Sequence, residues 1–593
     1  MDELARTLWS VKYRQTGENA IQDSWRRVAD ALASVEPRDR APWAARFFEI
    51  LDGFRFLPGG RILAGAGTER HVTLFNCFVM GVIEDSMDGI FQALKEGALT
   101  MQQGGGAGYD FSSLRPAGSL TRSAAGIASG PVSFMRVWDS MCATVLSQGA
   151  RRGAMIATLR CDHPDIEAFA SAKQEAGALR HFNISVQIGE DFLHAVRMDA
   201  EWPLVFPAEA LPDGPGETLL RNWTGRDDPV PCRVFKRIPA RALWRLIMRN
   251  AYDSAEPGVL FIDRINRLNN LGGQESISAT NPCGEIPLPP YGACDLGSLN
   301  LVRFVREPFT SGASIDHDSL GATAETAVRL LDNVIDLSRY PLPAQREQAL
   351  GSRRIGLGIT GLGSALVMLG LRYDNAHARR EAAGIMRTVR DAAYRASVEL
   401  AREKGPFPLF KRGAYLHRPF ILDLPHDLRE SIAAHGIRNS HLLAIAPAGS
   451  ISLLADNVSS GLEPIYASRA VREVRLAPDA TRRFEVEDAA VRLWREQGHG
   501  GVPPALMEAA AIAPLDHLHM QAALQPFVDQ AISKTINVAP DYPFEDFVRL
   551  YEKADELGLK GCTVYRPNLL RGAVLTPLLN EDDLPHCEIC ATS

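Results

Sequence analysis

Helical and strand-like patterns alternate along much of this chain, and that alternation narrows the fold more than any other feature. HFNISVQIGEDFLHAV, 181–196, reads as a strand running into a helix, and RALWRLIMRNAYDSAEPGVLFID, 241–263, as helix, turn and strand. KTINV, 534–538, precedes a helix at 543–556 and a strand at 561–565. Units of this kind build parallel β/α sheets. At 593 residues the chain is too long for one simple core, so one large elaborated fold or about two to four domains is expected.

Around these units the pattern changes. Residues 1 to 70 read as helical, because SWRRVADALASVE and RAPWAARFFEILDGF place apolar residues at helical spacing. VTLFNCFVMGV, 72–82, reads as a buried strand, and GIFQALKEGALTMQQ as a helix leading into Gly104-Gly-Gly-Ala-Gly108. Such a glycine cluster lets backbone come close to either another chain element or a ligand. A helix then precedes Gly149-Ala-Arg-Arg-Gly153, where Arg151 and Arg152 suit phosphate or base recognition, or are solvated charges. The stretch 322–404 reads as mostly helical. HLLAIA, from 441, reads as a strand entering Pro447-Ala-Gly-Ser-Ile-Ser452, either a phosphate cradle or a plain strand-to-helix turn.

A net charge of −7 gives no electrostatic reason to expect nucleic acid or an anionic membrane as a partner. MDELARTLWSVKYRQTG lacks an apolar signal core, and no run of about eighteen apolar residues follows. A cytoplasmic location is expected, where the nine cysteines are reduced unless a pair is catalytic.

The chemistry concentrates in TNPCGEIPLPPYGACDLGSLNL. Asn281, Cys283 and Glu285 sit two residues apart, so in an extended backbone, which the prolines favour, all three point the same way. A carboxylate beside a thiol raises the thiol pKa and depletes the thiolate, an odd design for polar nucleophilic catalysis. The arrangement suits a sulfur that works as S–H or as a neutral radical. Cys294 follows eleven residues on, and Cys587-Glu-Ile-Cys590 ends a polar tail that reads as a dithiol or as half of a zinc site.

Together these pieces resemble the catalytic subunit of ribonucleotide reductases. N-x-C-x-E is similar to the family's finger-loop motif, PAGSIS to its phosphate loop, and Cys77 with Cys294 to its redox dithiol. QQGGGAGYDFSSLRP, RRGAMIATLRCDHPDIEAF, SSGLEPIYA and SKTINV…GLKGCTVYRPN resemble the adenosylcobalamin-dependent class. The oxygen-dependent class carries adjacent tyrosines near its C-terminus, whereas Tyr542, Tyr551 and Tyr565 stand apart. The glycyl-radical motif is absent too.

The resemblance implies a ten-stranded α/β barrel of two five-stranded halves with a central finger loop, after a helical region at 1–70. The barrel would span 71–570, and 571–593 would be a flexible tail whose Cys587 and Cys590 re-reduce the dithiol. It implies reduction of ribonucleotides, as diphosphates, with adenosylcobalamin as cofactor and no metal ligand from protein side chains. Cys283 would be the thiyl radical, with Glu285 and Asn281 handling protons. Substrate contacts would come from Asn76, Cys77, Gly106, Asn281, Pro282, Cys283, Gly284, Glu285, Pro447, Ala448, Gly449, Ser450 and Ile451. Many relatives keep a hydroxyl residue after Leu-Pro, where this chain has Gly59-Gly60-Arg61. A dNTP or ATP effector would meet Asp85, Arg115, Arg151 and Arg152 across a homodimer interface, and a thioredoxin- or glutaredoxin-type protein would be the reductant. Alternatives are an oxygen-dependent large subunit needing a radical-generating partner, and a non-catalytic nucleotide-binding regulator. Cys142, Cys161, Cys232 and Cys562 are assigned to packing.

Overall fold

The computed structural model describes residues 1–120, 126–145, 153–175, 177–212, 215–477, 480–567 and 575–577. The lead-in is helical as expected. In Ile21–Ala33 the buried face is Ile21, Trp25, Val28, Ala29 and Leu32, at helical spacing. The Asp23 carboxylate accepts from the Ala20 and Asn19 N–H groups at the helix start. This helix packs on Arg40–Leu51 and on the long helix His317–Leu337.

Ten strands make the main sheet: β1 (Phe56–Pro58), β2 (Cys77–Val79), β3 (Gly106–Asp110), β4 (Met155–Arg160), β5 (Phe182–Ile188), β6 (Gly258–Phe261), β7 (Ala293–Asn300), β8 (Ile355–Thr360), β9 (Thr535–Asn537) and β10 (Gly561–Tyr565). From β2 to β6 the neighbours are all parallel. A second parallel run begins with β7 on β8 and ends with β9 on β10. The two runs meet antiparallel at both seams, β7 on β2 and β10 on β6. Between β8 and β9 stands 443–445, joined only by the single bridges Leu357↔Leu443 and Ile445↔Ile532. The fold is therefore the expected two-halved α/β arrangement, but its ladder is not closed.

Parallel strands are covered on both faces, and β7 and β8 are buried at every position. β8 lies inside the stretch read as mostly helical. Its IGLGIT pattern is punctuated by Gly356 and Gly358, and a Cβ on Gly358 would stand 2.2 Å from the Ala444 carbonyl oxygen. Close backbone approach, not helix breaking, explains that glycine.

Other expectations need correction. The strand read at 72–82 is only Cys77–Val79, because the Thr73 N–H bonds the Gln103 carbonyl and the Leu74 N–H bonds Ser338 Oγ. The apolar strand expected from 441 is reduced to the two bridges. Two small three-stranded sheets have no counterpart in the sequence reading. One comprises Glu201–Pro207, Thr218–Arg221 and Val230–Pro239; the other is the hairpin Arg469–Ala477 with Ala480–Glu487, which Leu575–Pro577 joins antiparallel. Among the described residues, no helix is long and apolar enough to cross a membrane.

Candidate active site

The proline-rich run that carries Cys283 is a hairpin, not an extended segment. Its arms, Ala279–Thr280 and Pro287–Leu288, pair antiparallel, and the tip reverses over Asn281–Ile286. Gly284 has φ +85°, and its N–H bonds the Asn281 carbonyl at 3.0 Å. Asn281 closes the tip: Oδ1 accepts from the Ile286 N–H at 2.9 Å and the Asn281 N–H bonds the Ile286 carbonyl at 3.2 Å. The three side chains therefore do not form one row. Asn281 and Glu285 are 1% and 2% exposed, whereas Cys283 at the tip is exposed.

This finger is held from the sheet. Asn183 of β5 donates to the Pro282 carbonyl at 2.8 Å, and Thr158 and Gln187 donate to the Ser278 carbonyl at 2.9 and 2.7 Å. On β3 the glycine cluster makes room: a Cβ on Gly108 would lie 1.9 Å from the Thr280 carbonyl oxygen, and one on Gly106 would lie 3.2 Å from Pro282 Cγ. Of the two uses open for those glycines, approach by another chain element is the one realised at Gly108.

Cys77 and Cys294 stand opposite each other where β2 meets β7, both as buried thiols. Residues directly opposed across an antiparallel pair have Cα atoms about 4.5–5.5 Å apart, inside the span a disulfide bridges. Asn281 Nδ2 donates to Cys77 Sγ at 3.2 Å, which ties the finger to the dithiol. Burial pushes the Cys77 thiol well up, aided by Glu285 nearby; burial and Asp295 do the same to Cys294. Both are therefore S–H groups at neutral pH. Burial also pushes the Glu285 carboxyl up to about 7, with an Asn281 hydrogen bond pulling the other way. Among the described residues Glu285 Oε2 has no partner.

One cavity of about 1050 Å³, counting space open to solvent, gathers these groups. Asn76, Cys77, Gly106, Asn281, Pro282, Cys283 and Glu285 line it on the finger side, and Pro447 to Ile451 on the other. Of the residues predicted for substrate contact, Gly284 alone is not on that wall. The 447–451 stretch turns into the helix Gly449–Leu454, with Ala448 at φ 48°. Tyr13, Arg61 and Ser298 also line the cavity and were missed as a group. Arg61 was noted only as a departure, and nothing in the spacing marked Tyr13.

Asp85 and Arg115 meet as a pair, with Nε to Oδ2 at 2.8 Å, away from this cavity. Arg151, Arg152, Cys587 and Cys590 lie outside the described residues. Cys142, Cys161, Cys232 and Cys562 are buried.

If Glu285 is the acting base, turnover should rise with pH through about 7 and level off above it, because only the carboxylate accepts a proton. Stability should move oppositely. The folded state holds this proton more tightly than the unfolded one, so the group's contribution is lost as pH climbs from 4.5 through about 7. Both slopes should flatten in Glu285→Gln, read from a pH–rate profile and from urea melts.

Sequence comparison shows the family. The family profile described as ribonucleotide reductase, barrel domain, matches residues 75–565, and the one described as ribonucleotide reductase, all-alpha domain, matches 2–71. A vitamin B12-dependent ribonucleoside-diphosphate reductase of Mycobacterium tuberculosis (strain CDC 1551 / Oshkosh) is 38% identical over 602 residues, covering 97% of this chain and 80% of the relative. A protein of the same name from Thermoplasma acidophilum is 36% identical over 90% of this chain and 66% of its own length. The ribonucleoside-diphosphate reductase subunit alpha of Chlamydia trachomatis serovar D is 29% identical over 74% and 45%. With an all-alpha lead-in, a barrel domain and a thiol-tipped finger in one polypeptide, this chain belongs to the ribonucleotide reductase family.

Proposed function

We propose that this chain reduces ribonucleoside diphosphates to 2′-deoxyribonucleotides by thiyl-radical chemistry at Cys283, with adenosylcobalamin as the cofactor. The observation that carries the reading is the graded exposure of one finger. Its thiol is open at the tip, while the amide and carboxyl that flank it are buried beside a cross-strand dithiol.

The site fits that cofactor. Adenosylcobalamin brings its own cobalt and ring, so what it needs from the chain is an approachable hydrogen donor, and the exposed Cys283 between Pro282 and Gly284 is the surface it would meet. Bound, it supplies the radical that removes the Cys283 hydrogen. The Cys283 thiyl then takes the ribose 3′-hydrogen. Glu285, poised near neutral pH, accepts the 3′-hydroxyl proton, and Asn281 holds Cys77 and the fingertip in register. The 2′-hydroxyl leaves as water after protonation by the dithiol. Cys77 and Cys294 give two electrons and two protons and become a disulfide, and the hydrogen on Cys283 returns to carbon 3′. High thiol pKa values suit this pair, which must stay protonated until it reacts.

Cys587 and Cys590 would re-open the disulfide by thiol–disulfide exchange, completed by a thioredoxin- or glutaredoxin-type protein. A dNTP or ATP effector at Asp85 and Arg115, with Arg151 and Arg152, would act across a homodimer interface. Exposed Met87, Phe91, Leu99 and Val137, on the helices Met87–Gln102 and Pro131–Thr144, support that reading.

The full chain, given adenosylcobalamin, a dithiol and a ribonucleoside diphosphate without oxygen, is expected to form the deoxynucleotide. No product, or turnover that needs a diiron partner and ignores cobalamin, would overturn the proposal. Nucleotide binding without turnover would favour a silent regulator instead. In a single turnover without external dithiol, peptide mapping of a chain with Cys587→Ser and Cys590→Ser should find Cys77 joined to Cys294, and Cys294→Ala should end turnover.

A further inference from the structure

We infer that Lys12 and Arg61 grip the terminal phosphate of the substrate and make this site prefer a nucleoside diphosphate to its monophosphate. The inference rests on the reading that the cavity takes a ribonucleotide. It begins with the first thirteen residues, which are docked across the barrel. The N-terminal amine lies 3.7 Å from Asp456, the Asp2 N–H bonds the same carboxylate at 3.0 Å, and Arg492 reaches Asp2 at 3.5 Å. Leu4 and Leu8 pack with Leu453, in the helix that follows the 447–451 turn.

That docking brings the end of the next turn, Trp9–Tyr13, to the cavity, where Tyr13 lines the wall. Lys12 Nζ reaches Ser450 Oγ at 3.5 Å, so its ammonium stands beside the 447–451 turn. Tyr13 is buried on the cavity wall with its hydroxyl against Gly60, 3.2 Å from where a Cβ would stand. The next residue is Arg61, whose guanidinium lies over Gly104, with its carbon 2.6 Å from where a Cβ would be. Gly104 has φ +100° and no side chain, and so leaves the guanidinium its place on the wall.

Gly59 and Gly60 offer a phosphate no side-chain hydroxyl, yet the two cations that bracket Tyr13 offer charge. Among the described residues the cavity wall holds a single carboxylate, Glu285 on the finger, which is protonated below about pH 7. The rest of the lining is neutral apart from Arg61. A guanidinium fork can take two phosphate oxygens at once, and an ammonium adds a movable point charge.

The test measures KM and equilibrium binding of a ribonucleoside diphosphate and its monophosphate on the full chain. It compares wild type with Lys12→Ala, Arg61→Ala and Arg61→Lys. Each alanine is expected to weaken the diphosphate about tenfold, with the loss in KM rather than kcat, and to weaken the monophosphate far less. Salt should raise the wild-type KM, and less so in the variants. Arg61→Lys should recover part of the loss. Lys12 is exposed, so its removal tests the idea even if Arg61→Ala misfolds. Diphosphate and monophosphate weakened equally, or a diphosphate bound as tightly by the variants as by wild type, would overturn the inference and leave the reductase reading standing. A wild-type chain that binds no ribonucleotide would overturn both.

Discussion

Cys283→Ser is expected to lower deoxynucleotide formation below about one-thousandth of wild type, with ribonucleotide binding kept. The hydroxyl is close in size and stands at an exposed fingertip, so the fold has no reason to change. What changes is the bond: O–H is much stronger than S–H, so serine neither gives up its hydrogen readily nor returns as a selective radical. A nucleophilic cysteine would lose activity too. The distinguishing measurement is hydrogen transfer from the 3′ position, followed with 3′-deuterated substrate, which should slow wild type and be undetectable in the variant.

Gly108→Ala should be nearly as damaging without touching a reacting atom. Its Cβ would fall 1.9 Å from the Thr280 carbonyl oxygen, at the root of the finger, and backbone cannot step aside as a side-chain end would. The finger must shift by more than about 1 Å, a displacement that costs about a hundredfold in rate where reacting groups are held in line. Overpacking should also cost about 1–3 kcal/mol of stability, read from urea melts. Gly384→Ala is the control. In the helix Ala376–Lys404 a Cβ at 384 meets nothing within 4 Å, so alanine should stabilise by about 1 kcal/mol through helix propensity and leave turnover alone.

These two positions show how unevenly the sequence discloses the molecule. The reading proposed for Cys283 could be made from the sequence, because a thiol beside an acid makes poor sense as a thiolate, and that argument needs no coordinates. The hairpin was not legible. Four prolines favour extended backbone locally, but Gly284 and the Asn281 side chain reverse the chain, and their hydrogen bonds close over residues that periodicity treats one by one. Gly108 illustrates the same limit: the cluster announced a close approach but not its partner, which lies far along the chain.

β6 and β10 were legible because each follows a helix of clear amphipathic spacing. β8 was not, since two of its six residues are glycines set inside a helical neighbourhood. Cys77 and Cys294 could be paired beforehand only through family likeness; in the fold, the antiparallel seam puts them opposite each other. Lys12 and Tyr13 carry no motif at all. Tyr13 reaches the cavity wall, and Lys12 the neighbouring Ser450, because Leu4 and Leu8 bind the segment to Leu453.

Hydrogen-atom transfer at the Cys283 sulfur, begun by adenosylcobalamin, leaves a trace that can be seen directly. The measurement is electron paramagnetic resonance on samples frozen within milliseconds of mixing the full chain with adenosylcobalamin, ribonucleoside diphosphate and a dithiol under anoxia. The expected result is a paramagnetic signal that needs the cofactor, narrows when cysteine is deuterated at its β carbon, and is absent in Cys283→Ser. An equal signal in Cys283→Ser, or deoxynucleotide formation by wild type with no cofactor-dependent signal, would contradict it.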